Sequence, residues 1–130
     1  MALDRRESAS GASGAAALGQ GAVLYAEACA SCHGAALEGQ PDWKSPGPDG
    51  RLPAPPHDET GHTWHHSDRV LLDITMRGTA AVVGGGYESN MPGFGDEYSE
   101  EELRNVLEWI KSQWPARERT YQAQITAAGN

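Results

Sequence analysis

Cys29-Ala30-Ser31-Cys32-His33 sets two thiols three residues apart and an imidazole directly after the second. On a helical turn, residues three apart share a face. Each thiol can then add to a vinyl group of one porphyrin while the histidine reaches the iron, which is the pattern of covalent haem attachment. Other uses of the same residues fit less well. A thioredoxin-like redox pair needs a strand before it and a βαβ unit around it, whereas Cys29 ends a helical pattern. A zinc site would draw on further ligands, but the chain has only these two cysteines, and its other four histidines lie between His57 and His66. A disulfide across two residues would close a very small loop and stabilise little.

Upstream, Leu18, Ala22, Tyr25, Ala26 and Cys29 recur at spacings of three and four, predicting a helix that delivers the motif. Gly21 inside it costs about 1 kcal/mol against alanine unless another backbone comes close. Near the other end, Ser99-Glu100-Glu101-Glu102 reads as a helix start with a capping box and acids at the positive end of the dipole. Leu103, Val106, Leu107, Ile110 and Trp114 follow on one face, with Trp109 at its edge, and Pro115 stops the run. Residues 116–127 are weakly helical, a candidate extra helix lying back on the body. Between the ends, Ser67 caps a helix predicted over Asp68 to Arg77, with Gly78 as its stop. Gly84-Gly85-Gly86 then marks a flexible turn.

Gly21, Tyr25, Cys29, Cys32 and His33, together with Met91-Pro92 and the helix end Leu107-Glu108-Trp109-Ile110-Lys111, resemble a class I c-type cytochrome over residues 19 to about 115. The resemblance implies an all-α fold of four to five short helices and long loops around one covalently bound haem c. It implies a one-electron carrier rather than an enzyme, with His33 as proximal ligand and Met91 as distal ligand. The family crosses the first helix over the last at the glycine and aromatic, here Gly21 and Tyr25 against Trp109. It also uses a proline carbonyl to accept the free N–H of the ligating imidazole, a role open to Pro53 or Pro55. A thioether ligand favours Fe(II), so His/Met ligation raises the reduction potential above that of His/His. Met76, near the end of its helix, reads as core filler. The competing reading is a haem protein with an open or labile sixth site for small-molecule binding or peroxidase-like chemistry. A third makes the chain the electron-relay subunit of a larger redox enzyme.

The segment Pro55-Pro56-His57-Asp58-Glu59-Thr60-Gly61-His62-Thr63-Trp64-His65-His66 resembles one carried by small bacterial cytochromes. His62, His65 and His66 invite a second-metal reading, with helical i,i+4 pairing available only to His62 and His66. The preferred expectation gives Trp64 and one histidine the task of donating hydrogen bonds to buried haem propionates.

The chain has 130 residues, of which 38% are hydrophobic, enough for one domain but thin for a helical core unless a prosthetic group fills the middle. Residues 1–17, rich in Ser, Gly and Ala, are expected to form a flexible leader or linker ahead of a haem domain over 18–130. The formal charge of −8 argues against nucleic acid and anionic membrane surfaces, and favours redox partners with a basic docking surface. A monomer is the expectation. No run approaches the roughly 18 apolar residues of a membrane span, and the first residues lack the apolar core of a signal peptide. Cytochromes of this kind receive haem outside the cytoplasm, so a periplasmic or otherwise extracytoplasmic location is expected, with a signal or anchor removed.

Overall fold

The computed structural model describes residues 10–129. Among them are six α-helices and no strand: α1 (Ser10–Ala28), α2 (Ala30–His33), α3 (Asp68–Arg77), α4 (Thr79–Val83), α5 (Glu100–Ser112) and α6 (Ala116–Ala127), with a 3-10 turn over Thr63–His65. The class is all-α as expected, with one helix more than the upper expectation. The addition is the five-residue α4. Residues 1–9 of the expected leader lie outside the described part, and 10–17 are helical rather than a linker. Alanine is the best helix former, and the run Ala15-Ala16-Ala17 carries α1 well ahead of Leu18.

α1 and α5 cross where Gly21 meets α5. A Cβ at Gly21 would run into the carbonyl of Asn105 and approach the Trp109 side chain, so the crossing needs a residue without one. Tyr25, one turn on, is 1% exposed and packs its ring 5.0 Å from that of Trp109. α5 begins with the predicted capping box: Ser99 Oγ accepts from Glu102 N at 3.1 Å, and Ser99 N donates to Glu102 Oε1 at 2.8 Å. Leu103, Val106, Leu107 and Ile110 face inward from α5, meeting Leu71 and Leu72 of α3 and the indole of Trp114. α3 is capped by Ser67, whose Oγ accepts from Val70 N, and ends at Gly78 with φ +92°.

The last helix is fastened by polar contacts rather than by an apolar stripe. Gln122, 1% exposed, donates to His66 O at 3.0 Å and to Asp68 Oδ1 at 2.8 Å. Asp68 also receives Lys111 Nζ at 3.0 Å, so one carboxylate at the start of α3 holds both α5 and α6. No helix among the described residues is long and apolar enough to cross a membrane.

Candidate functional site

The helical register of α1 continues through the cysteine motif. Cys29 N donates to Tyr25 O at 2.9 Å and His33 N to Cys29 O at 2.9 Å, so α2 is nearly one more turn of the same helix. Gly34, at φ +90°, ends it, and its carbonyl accepts from the Tyr25 hydroxyl at 2.7 Å. Both thiols are free, with Cys32 exposed and Cys29 half-buried. Burial, with the neighbouring Cys32, pushes the Cys29 thiol up to about 11.

His33 is buried, 6% exposed, and its Nδ1 lies 2.8 Å from the carbonyl oxygen of Pro55. A carbonyl only accepts, so Nδ1 carries the proton. Nε2 then bears the lone pair on the side away from Pro55. Burial lowers the pKa of His33 against the opposing pull of the Pro55 bond, keeping the ring neutral. Of the two candidate prolines it is therefore Pro55, not Pro53, whose carbonyl meets the imidazole. The register comes from pairing of the flanking loops: Gln40 N donates to Ala54 O at 2.9 Å and Ala54 N to Gln40 Oε1 at 2.7 Å. Leu37, buried and at φ +67°, takes a left-handed conformation that leucine rarely adopts, and its carbonyl accepts from His57 N at 2.9 Å.

Against His33 lies a residue whose place beside this imidazole is not legible in the sequence. The His57 ring stacks on that of His33, with centroids 3.9 Å apart and planes 29° from parallel. Its Nδ1 is 2.6 Å from Thr63 Oγ1, and its carbonyl accepts the indole N–H of Trp114 at 2.6 Å. Burial, then the neighbouring His33, pushes His57 down to about 3. The unfolded chain thus binds this proton first as pH falls, so the stabilisation from the neutral ring is complete above about pH 6.5 and is lost as pH falls toward 3. Urea titrations are expected to show stability falling by about 1.4 kcal/mol per pH unit from this group well below pH 6.5. His57→Leu should flatten that slope, and an unchanged slope would show that the group does not titrate this way.

The segment around Met91 is docked on the end of α3. Phe94 N donates to Thr75 O at 2.9 Å and Gly95 N to Met76 O at 3.0 Å. A Cβ on Gly78 would sit 2.9 Å from Gly93 N and 3.1 Å from Met91 O, so the two strands of backbone touch there. From the long loop, Arg51 Nη1 donates to Asn90 Oδ1 at 2.6 Å, and Asn90 Nδ2 donates to Asp49 Oδ2 at 3.2 Å. Met76 packs against the protein core, as expected of it, whereas Met91 is half-buried outside that cluster of described residues.

Trp64 Nε1 donates to Glu59 O at 3.1 Å. The 3-10 turn, with three residues per turn, brings His62 to His65 at 5.2 Å rather than to His66 as a helix would. The rings of Trp43, Trp64 and Tyr121 surround this pair. Among the described residues no three His, Cys, Asp or Glu side chains converge on a metal position. A groove of about 420 Å³ runs between Leu18, Lys111, Arg119 and Gln122, and neither His33 nor Met91 lines it.

Two free thiols and an imidazole with its outer nitrogen unprotonated, on one turn of an all-helical frame, define a haem-binding protein. The family model for cytochrome c matches residues 18–114, and the chain belongs to that family. Neither a search of curated proteins nor one of solved structures returns a match. The family is one of haem-based electron transfer and typically not of enzymes, and membership implies haem c with its iron and redox partners. The donor set fits that group: two soft thiols and a neutral imidazole nitrogen on one turn of helix.

Proposed function

We propose that this chain is a one-electron carrier holding one haem c through thioethers at Cys29 and Cys32, with His33 and Met91 as axial ligands. The observation that carries this is the 2.8 Å bond from His33 Nδ1–H to Pro55 O, between free thiols on one side and a fixed carbonyl on the other. That bond selects the tautomer that can ligate and raises the basicity of Nε2. The haem supplies the one-electron couple of its iron. The protein's part is rigidity: buried Tyr25 fixes the turn after the motif, and the anchored backbone on either side of Met91 holds the thioether in place, so little reorganises when charge changes. Its acidic surface, at −8 before any propionate is counted, favours a basic partner and acts chiefly on encounter rate. Maturation of a c-type haem places the protein in the periplasm or another extracytoplasmic space, where it works as a monomer.

The test is an absorption spectrum of the purified protein, oxidised and dithionite-reduced, with carbon monoxide then added to the reduced form. Sharp low-spin c-type bands, a weak far-red band in the oxidised state and no response to carbon monoxide are expected. A carbon monoxide shift would overturn His/Met ligation and make the sixth site open or labile.

A further inference from the structure

We propose that His57 is a positioning residue for the proximal ligand: its ring, stacked on His33 and held by Thr63, sets the plane in which the ligating imidazole lies. This rests on the proposed ligation by His33. A single hydrogen bond fixes a line and not a plane. With only Pro55 O as partner, the His33 ring could still rock about its Nδ1–H···O axis. A second constraint across the flat of the ring removes that freedom, and the His57 ring at 3.9 Å supplies it.

The clamp is itself held on three sides. His57 N donates to Leu37 O at 2.9 Å, His57 O accepts from Trp114 Nε1 at 2.6 Å, and the ring meets Thr63 Oγ1 at 2.6 Å. Thr63 is 7% exposed and opens the 3-10 turn, so its hydroxyl has a fixed position. Gly61 lets the loop fold back on itself, since a Cβ there would collide with the Pro56 carbonyl. The segment from Pro55 to Thr63 thus forms one tied loop that touches the imidazole twice: the Pro55 carbonyl at its edge and the His57 ring on its face. Outer partners that fix ring orientation and tautomer tune a metal's ligand without touching the metal.

In low-spin ferric haem the axial imidazole plane governs how unpaired spin divides among the four pyrroles, and so the spread and order of the haem methyl shifts. The experiment compares proton NMR spectra of the ferric holoprotein with cyanide as sixth ligand, because cyanide is axially symmetric and leaves the proximal ring as the directional ligand. His57→Leu is expected to compress or reorder the four methyl shifts. Thr63→Val should shift them the same way by less, and His57→Phe, which keeps a ring to stack but loses the Thr63 contact, should shift them by about as much as Thr63→Val. A parent-like pattern in His57→Leu, whatever its melting temperature, overturns the proposal, and so does a His57→Phe pattern as altered as that of His57→Leu. Should His57→Leu not fold, Thr63→Val decides: methyl shifts identical to the parent overturn the proposal, and displaced shifts support it. A parent that carries no covalent haem overturns the proposed function itself, whereas a normal low-spin parent with variants all alike overturns only the role of His57.

Discussion

Met91→Ala is expected to abolish the weak far-red band of the oxidised protein, lower the reduction potential and make the reduced protein bind carbon monoxide. Removing a thioether takes away the ligand that prefers Fe(II), and axial ligands move haem potentials across about 0.8 V, so a fall on the order of 0.2 V is the scale expected. The gain in carbon monoxide affinity follows from populations. If the sulfur is off the iron about 1% of the time, the parent binds about 100-fold more weakly than a vacant site would, and the variant recovers that factor. The control is Met76→Ala. Met76 packs against the core, where its Sδ-methyl lies close to Gly95. Its loss should cost about 2 kcal/mol of stability, at the low end for such truncations because the side chain is only half-buried, and leave the far-red band in place. A Met91→Ala protein with the parent spectrum, or a Met76→Ala protein without the band, would remove Met91 from the ligand set.

What the sequence made legible, and what it did not, divides along local and non-local lines. Ser67 with Gly78, and Ser99 with Glu102, are helix ends written in four or so adjacent residues, and the structure has them where the pattern puts them. The Gly21 crossing was legible because glycine inside a helix demands a reason. The thiols and His33 lie on one turn of helix as their spacing requires. By contrast α4, five residues from Thr79 to Val83, has no apolar period to announce it and is bounded only by Gly78 and Gly84. The helical start at Ser10 was hidden by Gly and Ser, which read as linker until the alanine run outweighs them. The choice of Pro55 over Pro53 is a question of loop register, decided by Gln40 and Ala54 from two distant stretches. His57 is the same kind of case. It follows the accepting proline by two residues, and that spacing was the available signal, but a ring stack across a loop is a tertiary contact with no periodicity. Trp64, by contrast, makes a local contact, its N–H meeting the Glu59 carbonyl five residues back along the chain.

Gly21 and Gly19 offer the second large effect, and they separate packing from propensity within one helix. Both lie inside α1, two positions apart, and either one changed to alanine gains about 1 kcal/mol of helix propensity. The surroundings differ completely. A Cβ at Gly19 meets nothing within 4 Å, so Gly19→Ala is expected to stabilise the protein by up to about that amount. At Gly21 the added carbon meets the Asn105 backbone, which belongs to α5 and cannot turn aside as a flexible side chain would. The helices must separate, and separation loosens Tyr25 from Trp109 and the Tyr25 hydroxyl from Gly34, which closes the turn bearing His33. Gly21→Val should therefore cost about 3 kcal/mol or more, a large share of the roughly 5–15 kcal/mol by which such domains are stable. Gly21→Ala should fall between the two. The measurement is a urea midpoint for each holoprotein variant at one pH. Because the crossing braces the haem motif from behind, the loss at Gly21 should also appear as a far-red band that fades at lower urea than in the parent. Equal stabilities for Gly19→Ala and Gly21→Ala would mean that α1 and α5 do not meet at Gly21, and the account of how the first helix fixes the turn carrying His33 would go with it.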